Sequence, residues 1–377
     1  MIYIFASCLL IVSLLAFKSR LLQLILLFMA YPIVVLGTIN YTGVSNRIMS
    51  AIGSYYYSSY YSVAFLYQCI LFSILLVILL SKRNETFKIK RIPLSDSLRA
   101  FVLFILIVIY PVAYPNIFSL GDGRFGSGGS LILIFNAILL LSRKEKLNII
   151  DFSTILINVF VMASGERADT ILILLLFYLI KYQDGHLIER KISNVKLIFL
   201  LFITLLLGLF SGLNRMGGSF SMEYLIYYIF NQGTVIDVLH VYLSSIWYVN
   251  KYGYNFEPII NLISSFIPFT PFGGASSSYN VTSILRNIIP NVGGGLFYSA
   301  GYLSYGLFGA SIYVAFYGFF IRKLFIGGNI SKVLFIAIFL QQLRLQWYGL
   351  NYMGNVVSMG LLILSFIFLI KYVANKY

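Results

Sequence analysis

The stretch from Tyr60 to Arg91 reads YYSVAFLYQCILFSILLVILLSKRNETFKIKR, and its two parts decide the fold. The first part, up to Leu80, is 21 residues without a charged side chain, and an α-helix needs about 20 such residues to cross the hydrocarbon of a bilayer. The remaining 11 residues carry five Lys and Arg. An apolar run that leads into a basic connection is typical of a membrane span that ends at the cytoplasmic face.

The same alternation continues through all 377 residues. The chain is 60% hydrophobic and only 10% charged, whereas soluble domains are about 25% charged. We therefore predict an all-α integral membrane protein, folded as one polytopic domain over 1–377. Its bundle of about eleven predicted spans covers 1–17, 21–38, 60–80, 100–114, 129–142, 148–164, 169–181, 195–211, 295–321, 332–350 and 355–370.

Basic residues are divided unevenly between the connections, which predicts an orientation. Twenty of the 27 Lys and Arg residues lie in one set of alternate connections, and the positive-inside rule places that set in the cytoplasm. We predict a multi-pass protein of the bacterial inner membrane, with the N-terminus in the periplasm and the C-terminus in the cytoplasm. The seven basic residues on the other side are Arg47, Arg124, Arg167, Arg215, Lys251, Arg286 and Arg344. Arginine is suited to bidentate binding of phosphate, and topology alone gives no reason for its excess there.

Several classes of protein are excluded or disfavoured. The net charge of +15 comes from short clusters between apolar runs, so we predict no nucleic-acid binding. Cys8 and Cys69 lie within apolar runs, which offers no Cys-based metal site. The chain has no GxxxxGK[ST] loop of a nucleotide-driven pump, and 39–59 has no carboxylate for a metal-assisted glycosyltransferase. We predict no metal and no cofactor.

One external connection is long, and we predict that it carries structure of its own. It covers 211–294 as a periplasmic loop with short amphipathic helices, since long connections are usually functional. A helical pattern runs from Glu223 to Val249. The segment 258–272 is rich in Ile, Phe and Leu, which favours a position in the membrane interface.

His240 and Asp237 are the predicted catalytic residues of this loop. In a helix, Thr234, Asp237, His240 and Ser244 lie on one face. An imidazole oriented by a carboxylate is a general base near neutral pH. The alternative is an ordinary polar face on a surface helix.

Arginines near the external connections are the predicted binders of diphosphate or substrate. Arg215 is followed by Gly217-Gly218, which lets the backbone approach a ligand, although Arg215 could also be an ordinary stop for a helix. Arg344 interrupts an apolar span, so it should face the interior of the bundle.

Of the three further arginines in this set, two lie in or near turns and one precedes a glycine run. Arg167 forms a tight corner with Glu166 and Asp169, where it could hold phosphate or form a local ion pair. Arg124 follows a Gly-Asp-Gly turn. Arg286 precedes the run 293–295 of three glycines, which could form an anion-binding nest of backbone amides.

These motifs resemble the O-antigen polymerase family. The resemblance rests on Ser164-Gly165-Glu166-Arg167, Arg215-Met216-Gly217-Gly218, Gly293-Gly294-Gly295 and Tyr302-Leu303-Ser304-Tyr305-Gly306-Leu307-Phe308-Gly309. It covers the topology of the whole chain and implies a GT-C-like membrane fold. Members often carry an acid after the glycines, where this chain has Ser299-Ala300.

The resemblance implies a metal-independent, inverting glycosyltransferase at the periplasmic face. Its donor and acceptor would be oligosaccharide repeat units on undecaprenyl diphosphate, and its pathway partners a chain-length regulator and a flippase. His240 or Asp237 would deprotonate the acceptor hydroxyl, while the arginines hold the diphosphates. Two alternatives stay open: an O-antigen ligase, which uses the same donor, and a lipid-linked oligosaccharide flippase, for which the chain shows no repeated halves.

Overall fold

The computed structural model describes residues 2–42, 60–114, 129–164, 167–215, 233–267, 279–289, 291 and 294–374. Over these ranges the chain is mostly helical, with one small antiparallel sheet. Two compact units form. Unit 1 consists of Met1–Glu85, Tyr227–Lys323 and Gln342–Ser358, and unit 2 consists of Thr86–Ile226, Leu324–Gln341 and Met359–Tyr377.

The helices fall into long apolar, short apolar and more polar classes. In chain order they are α1 (Ile2–Ser13), α2 (Arg20–Thr42), α3 (Tyr61–Leu80), α4 (Asp96–Ala113), α5 (Gly129–Ser142), α6 (Ile149–Ala163), α7 (Arg167–Leu179), α8 (Asn194–Arg215), α9 (Gly233–Tyr252), α10 (Glu257–Ser265), α11 (Val281–Arg286), α12 (Phe297–Ile326), α13 (Asn329–Leu340), α14 (Gln342–Tyr348) and α15 (Asn351–Ala374). The strands are β1 (Lys88–Lys90), β2 (Ile180–Gln183) and β3 (His186–Glu189).

Four helices in the described ranges are long and apolar enough to cross a membrane, namely Arg20–Gly37, Tyr61–Leu80, Asp96–Ala113 and Phe297–Ile326. Shorter apolar helices accompany them, at Leu131–Ser142, Ile149–Ala163, Thr170–Leu179, Asn194–Thr204 and Asn329–Leu340. The helical membrane class predicted from the sequence is thereby confirmed. The number eleven stays a prediction.

Polar capping residues begin two of these helices, each directly after a basic connection. Ser95 caps α4, its side chain accepting a hydrogen bond from the backbone N–H of Leu98. Asn148 and Asp151 form a reciprocal capping box at the start of α6. In unit 1, α2 packs between α1 and α3, and α9 packs on α3 and α11. In unit 2, α5 contacts α4 and α13, and α6 contacts α7.

The sheet of unit 2 brings predicted same-side connections together. Its strand order is β1-β3-β2, so the connection before α4 pairs with the hairpin between α7 and α8. The end of α5 and the connection after it join them, because the backbone N–H of Ile92 donates to the carbonyl of Leu141 and Arg143 donates to the carbonyl of Ile180. Lys332 of α13 donates to the carbonyl of Lys88, 2.6 Å away. Four connections that the basic residues assign to one side thus meet at one end of unit 2.

A buried ion pair closes this end. Arg99 of α4 is 0% exposed and lies 2.5 Å from the carboxylate of Asp151 on α6. Its Nε also donates to the hydroxyl of Ser142. Arg143, which follows α5, donates to the backbone carbonyls of Phe177 and Ile180 at the end of α7, where the helix dipole is negative.

Burial lowers the pKa of Arg143, but the side chain keeps its positive charge at neutral pH. Loss of hydration, together with the nearby charge of Arg190, lowers the pKa of Arg143 to about 10, while Asp151 partly opposes the change. Arg143 therefore stays cationic. Arg143 belongs to the basic residues that predict the cytoplasmic side, and in the structure it also ties α5 to α7.

Two predicted continuous spans are broken in the structure. Within α12 the backbone leaves helical geometry at Tyr305 and Gly306, so this element has a short arm (297–304) and a long arm (307–326). Gly306 has φ of 62°, which favours glycine. The predicted span 332–350 is divided into α13 and α14 at Gln341. Hydropathy depends only on side-chain composition, so it does not detect such breaks in the backbone.

The long connection contributes to the interior of unit 1. Residues 216–232, 268–278, 290 and 292–293 lie outside the described ranges. From Val238 to Ser245, α9 is buried on all sides, and its Val241 forms a hydrophobic cluster with Val281, Ile284, Leu285 and Leu303. Its placement in the periplasm stays a prediction.

Candidate functional site

His240 lies in the middle of α9 and is only 4% exposed. Its Nδ1 lies 3.2 Å from the hydroxyl oxygen of Ser244, one turn later, which fits the predicted shared face. The alternative of a polar face on a solvent-exposed helix is wrong, because both side chains are buried. The side chain of Asp237 lies outside the described ones, so its pairing with His240 stays a prediction.

Arg344 lies on α14 and is 6% exposed, which confirms the prediction that it faces the interior. The breaks on either side of α14, at Gln341 and at Gly349 with its φ of 121°, give this short helix its own direction. Gln342 and Gln346 on the same helix are also buried. A cation and two amides thereby enter an otherwise apolar interior.

A glycine of the 293–295 run, Gly294, lies close to both α9 and α14. A Cβ at Gly294 would lie 3.3 Å from Cγ1 of Val238 on α9 and 3.2 Å from the carbonyl oxygen of Trp347 on α14. Gly294 also has φ of 94°, so a side chain would be strained there. Gly294 therefore packs against both of the helices that carry His240 and Arg344.

The predicted anion nest is wrong for Gly295. Its N–H donates to the carbonyl of Trp347 at 2.6 Å, so this amide is already engaged. A Cβ at Gly295 would lie 2.6 Å from Cγ1 of Val241. The role of the glycine here is to allow close packing.

Arg286 is placed differently from Arg344. It ends α11, which packs on α9 through Leu285, while the guanidinium side of Arg286 is exposed. It belongs to the same unit as His240 and lies on the surface rather than in the polar interior.

The other predicted binders belong to unit 2 by sequence. The backbone of Arg167 starts α7 and that of Arg215 ends α8, in agreement with the predicted corner and span end. Their side chains are not among the described ones. Arg124 and Glu166 lie wholly outside the described residues.

Buried amides and hydroxyls form a polar interior in unit 1 that sequence reasoning missed. The amide nitrogen of Gln68 on α3 donates to the hydroxyl of Tyr298 on the short arm of α12. Tyr317 donates to Oε1 of Gln342 at 2.7 Å. Within the described residues of unit 1, buried atoms without a hydrogen-bond partner include Gln68 Oε1, Tyr242 Oη, Ser299 Oγ, Gln342 Nε2 and both amide atoms of Gln346.

Such atoms have the capacity to form hydrogen bonds with water or with a polar ligand. Each unmet buried hydrogen-bonding group costs about 1–3 kcal/mol, so native interiors keep few of them. The available signal in the sequence was glutamine inside apolar spans. Such glutamines are Gln68, Gln342 and Gln346.

Among the described residues no group of three or more His, Cys, Asp or Glu side chains could hold a metal ion. No family model, no curated protein and no solved structure matches the chain. Function must therefore be argued from the residues themselves.

Proposed function

We propose that this protein is a membrane glycosyltransferase of the O-antigen polymerase type, acting on undecaprenyl-diphosphate-linked repeat units at the periplasmic face of the inner membrane. The observation that carries the proposal is the burial of Arg344 in unit 1, where Gly294 packs against both its helix and the helix of His240. A cation held in an apolar interior is costly and is retained where its charge is used.

The positive charge of Arg344 is suited to stabilising a diphosphate leaving group. As the glycosidic bond breaks, negative charge grows on the diphosphate oxygens, and a guanidinium fixed before the reaction stabilises it without reorganisation. Arg344 is anchored on a short helix with a break at each end. Arg286, which is exposed on the same unit, is proposed to bind the charged headgroup of a donor or an acceptor, whereas Arg167 and Arg215 stay predicted binders that belong to unit 2.

The chemical step would be a single displacement. The acceptor hydroxyl oxygen attacks the anomeric carbon, the bond from that carbon to the diphosphate oxygen breaks, and the electron pair leaves with the diphosphate. The hydroxyl proton goes to the imidazole of His240, whose ring is oriented by Ser244. Attack opposite to the leaving group inverts the anomeric configuration.

The test is deletion of the gene in its native strain, with complementation at equal membrane levels. Surface glycan is then separated on a gel. A core that carries one repeat unit instead of a ladder supports the polymerase. A bare core with polymer on the carrier lipid would establish the ligase instead, repeat units confined to the inner leaflet would establish the flippase, and an unchanged ladder would exclude all three.

Complementing variants then test the site. Arg344→Lys should fail to restore the ladder although it keeps the charge, because the planar bidentate fork is lost. His240→Ala should fail because the base is removed. Arg83→Lys is the matched control, since Arg83 is exposed in the predicted cytoplasmic connection. Equal ladders from Arg344→Lys and Arg83→Lys would remove Arg344 from the site.

A further inference from the structure

Helix α14, which carries Arg344, is 7 residues long and has a backbone break at each end. At Gln341 the chain leaves the helical path of α13, and Gly349 has φ of 121°. Neither neighbouring helix therefore continues into α14 and fixes its rotation about its own axis. Contacts with other elements must set the direction in which Arg344 points.

Two hydrogen bonds join the ends of α14 to α12 and to the residues that lead into α12. At the start of α14, Oη of Tyr317 on the long arm of α12 donates to Oε1 of Gln342 at 2.7 Å. At its end, the carbonyl of Trp347 accepts from the backbone N–H of Gly295 at 2.6 Å. The short helix is therefore held at both ends by one kinked element and its approach.

The bond from Tyr317 opposes rotation of α14. Gln342 is 0% exposed, and the nitrogen of its side-chain amide has no hydrogen-bond partner among the described residues. Arg344 follows Gln342 by two residues, which is about 200° around a helix axis and about 3 Å along it. A rotation that pulls Gln342 away from Tyr317 would swing the guanidinium of Arg344 through the same angle.

Tyr317 is itself held in a fixed position. Its side chain is 0% exposed, and its ring centroid lies 5.3 Å from that of Phe297 at the start of the short arm. Phe297 is also 0% exposed. A phenylalanine would fill the same space as Tyr317, so packing alone does not explain the buried hydroxyl, whereas the bond to Gln342 does.

We infer that Tyr317 is a positioning residue, which acts through Gln342 to hold α14 so that Arg344 faces the diphosphate. This inference rests on the proposed function and adds to it the element that fixes the orientation of the cation. A guanidinium stabilises the developing charge only if it is in place before the reaction, and a displacement of about 1 Å can cost about 100-fold in rate. Tyr317 itself does not touch the diphosphate.

Hydrogen exchange of the purified full-length protein tests whether Tyr317 holds α14. Tyr317→Phe keeps the ring and removes the hydroxyl, so backbone amides in 342–348 should exchange about tenfold faster than in the wild type. Tyr313→Phe is the matched control. Tyr313 lies one turn earlier on the same arm, is also buried, and its hydroxyl donates to the carbonyl of Pro258 instead of to α14.

Binding of bare undecaprenyl diphosphate in nanodiscs tests whether Tyr317 acts through Arg344. Tyr317→Phe should weaken this binding about tenfold when Arg344 is present and less than about twofold in an Arg344→Gln background. A general weakening of the fold would lower the affinity by the same factor in both backgrounds. That result would overturn the inference.

A second variant removes the same hydrogen bond from the other side. Gln342→Met keeps Tyr317 intact and should reproduce both the faster exchange of 342–348 and the dependence on Arg344. Exchange of 342–348 in Tyr317→Phe and Gln342→Met that equals exchange in Tyr313→Phe would refute the tether. A wild-type protein that does not bind undecaprenyl diphosphate would refute the inference as well, because Arg344 would then face no diphosphate.

The inference and the proposed function can fail separately. A ladder that is lost on gene deletion, together with exchange and binding in Tyr317→Phe that match Tyr313→Phe, refutes the positioning role alone. An unchanged ladder on gene deletion, together with faster exchange and binding that depends on both Tyr317 and Arg344, refutes polymerisation and supports the positioning role.

Discussion

Arg99 has no exposed surface, and Asp151 is the residue that makes its charge tolerable there. Taking both ions out of water costs several kcal/mol each, and mutual attraction offsets this only when the geometry is good and other polar groups are satisfied. The 2.5 Å contact, the hydrogen bond to Ser142 and the capping role of Asp151 supply most of those conditions, whereas Nη1 of Arg99 makes no hydrogen bond and lies 3.8 Å from the carboxylate of Asp96.

We expect Asp151→Asn to lower the unfolding free energy by about 3–5 kcal/mol, because it leaves the Arg99 charge buried without its counterion. The double variant Arg99→Met/Asp151→Leu should recover most of that loss, since no buried charge remains. Thermal unfolding of the purified protein in detergent measures both. A double variant less stable than Asp151→Asn would contradict this explanation.

Asp96→Asn is the matched control. Asp96 also lies near Arg99, at 3.8 Å, but half of its side chain is exposed and its closer partner is Lys144. Water screens an exposed pair, so this change should shift the unfolding temperature far less than Asp151→Asn.

These residues also show what the sequence can and cannot predict about a site. The burial of Arg344 follows from its apolar neighbours, and the sequence predicts it correctly. The partner of Gln68 is Tyr298, 230 positions away, and no local pattern indicates such a pair. Arg99 and Arg143 resemble ordinary topology signals, because sequence position does not say whether a cation at a helix end points to headgroups or to a neighbouring helix.

At the scale of elements, α4, α5 and α6 are joined by a ring of three hydrogen-bonded side chains. Tyr110 donates to Oδ1 of Asn158 at 2.7 Å, Asn158 donates to Oδ1 of Asn136 at 2.9 Å, and Asn136 donates to the Tyr110 hydroxyl at 3.2 Å. All three residues are buried. Where apolar burial does not distinguish protein from lipid, such polar contacts help to select helix partners.

Asn158→Leu should therefore destabilise the protein by about 1–2 kcal/mol, because it leaves Tyr110 and Asn136 partly unsatisfied. Adding Asn136→Leu should cost less than the sum of the two single changes, since both remove the same ring. Thr204→Val is the control, as Thr204 donates only to the carbonyl of Leu200 in its own helix. Additive losses measured by thermal unfolding would show that the ring does not act as a unit.

The two arms of α12 meet at glycines. A Cβ at Gly301 would lie 2.5 Å from the carbonyl oxygen of Gly309 and 2.7 Å from the ring of Tyr313. Close packing at these glycines joins two arms of one element rather than two separate spans. The reversal at Tyr305 and Gly306 was missed, because glycine spacing alone does not distinguish the two cases.

Gly301→Ala should destabilise the protein by about 1–3 kcal/mol, because a backbone carbonyl cannot move aside as a side chain can. Gly318→Ala on the long arm is the control. Its Cβ would meet only the ends of Leu75 and Ile78 side chains, at 3.0 Å and beyond, and alanine favours the helix. Equal unfolding temperatures for the two variants would show that the arms separate freely.

At the scale of the whole molecule, four connections that the basic residues assign to one side of the membrane also lie together in the structure. Composition predicts the helical membrane class, and the basic residues predict which connections belong together. The sheet and the contacts of Ile92 and Lys332 then place four such connections at one end of unit 2. The sequence could not predict the sheet itself, because strands of three or four residues leave too short a pattern.

The orientation in the membrane is the remaining step, and it decides whether the polar interior of unit 1 can serve a periplasmic reaction. Asn84 and Lys251 are both exposed in unit 1, the first in a predicted cytoplasmic connection and the second at the end of the helix that carries His240. Each is changed to Cys in a Cys8→Ser/Cys69→Ser background, which removes both native cysteines. A membrane-impermeant maleimide should label Lys251→Cys in intact spheroplasts and Asn84→Cys only after permeabilisation. The opposite pattern would reverse the topology and, because α9 also carries His240, would rule out glycosyl transfer at the periplasmic face.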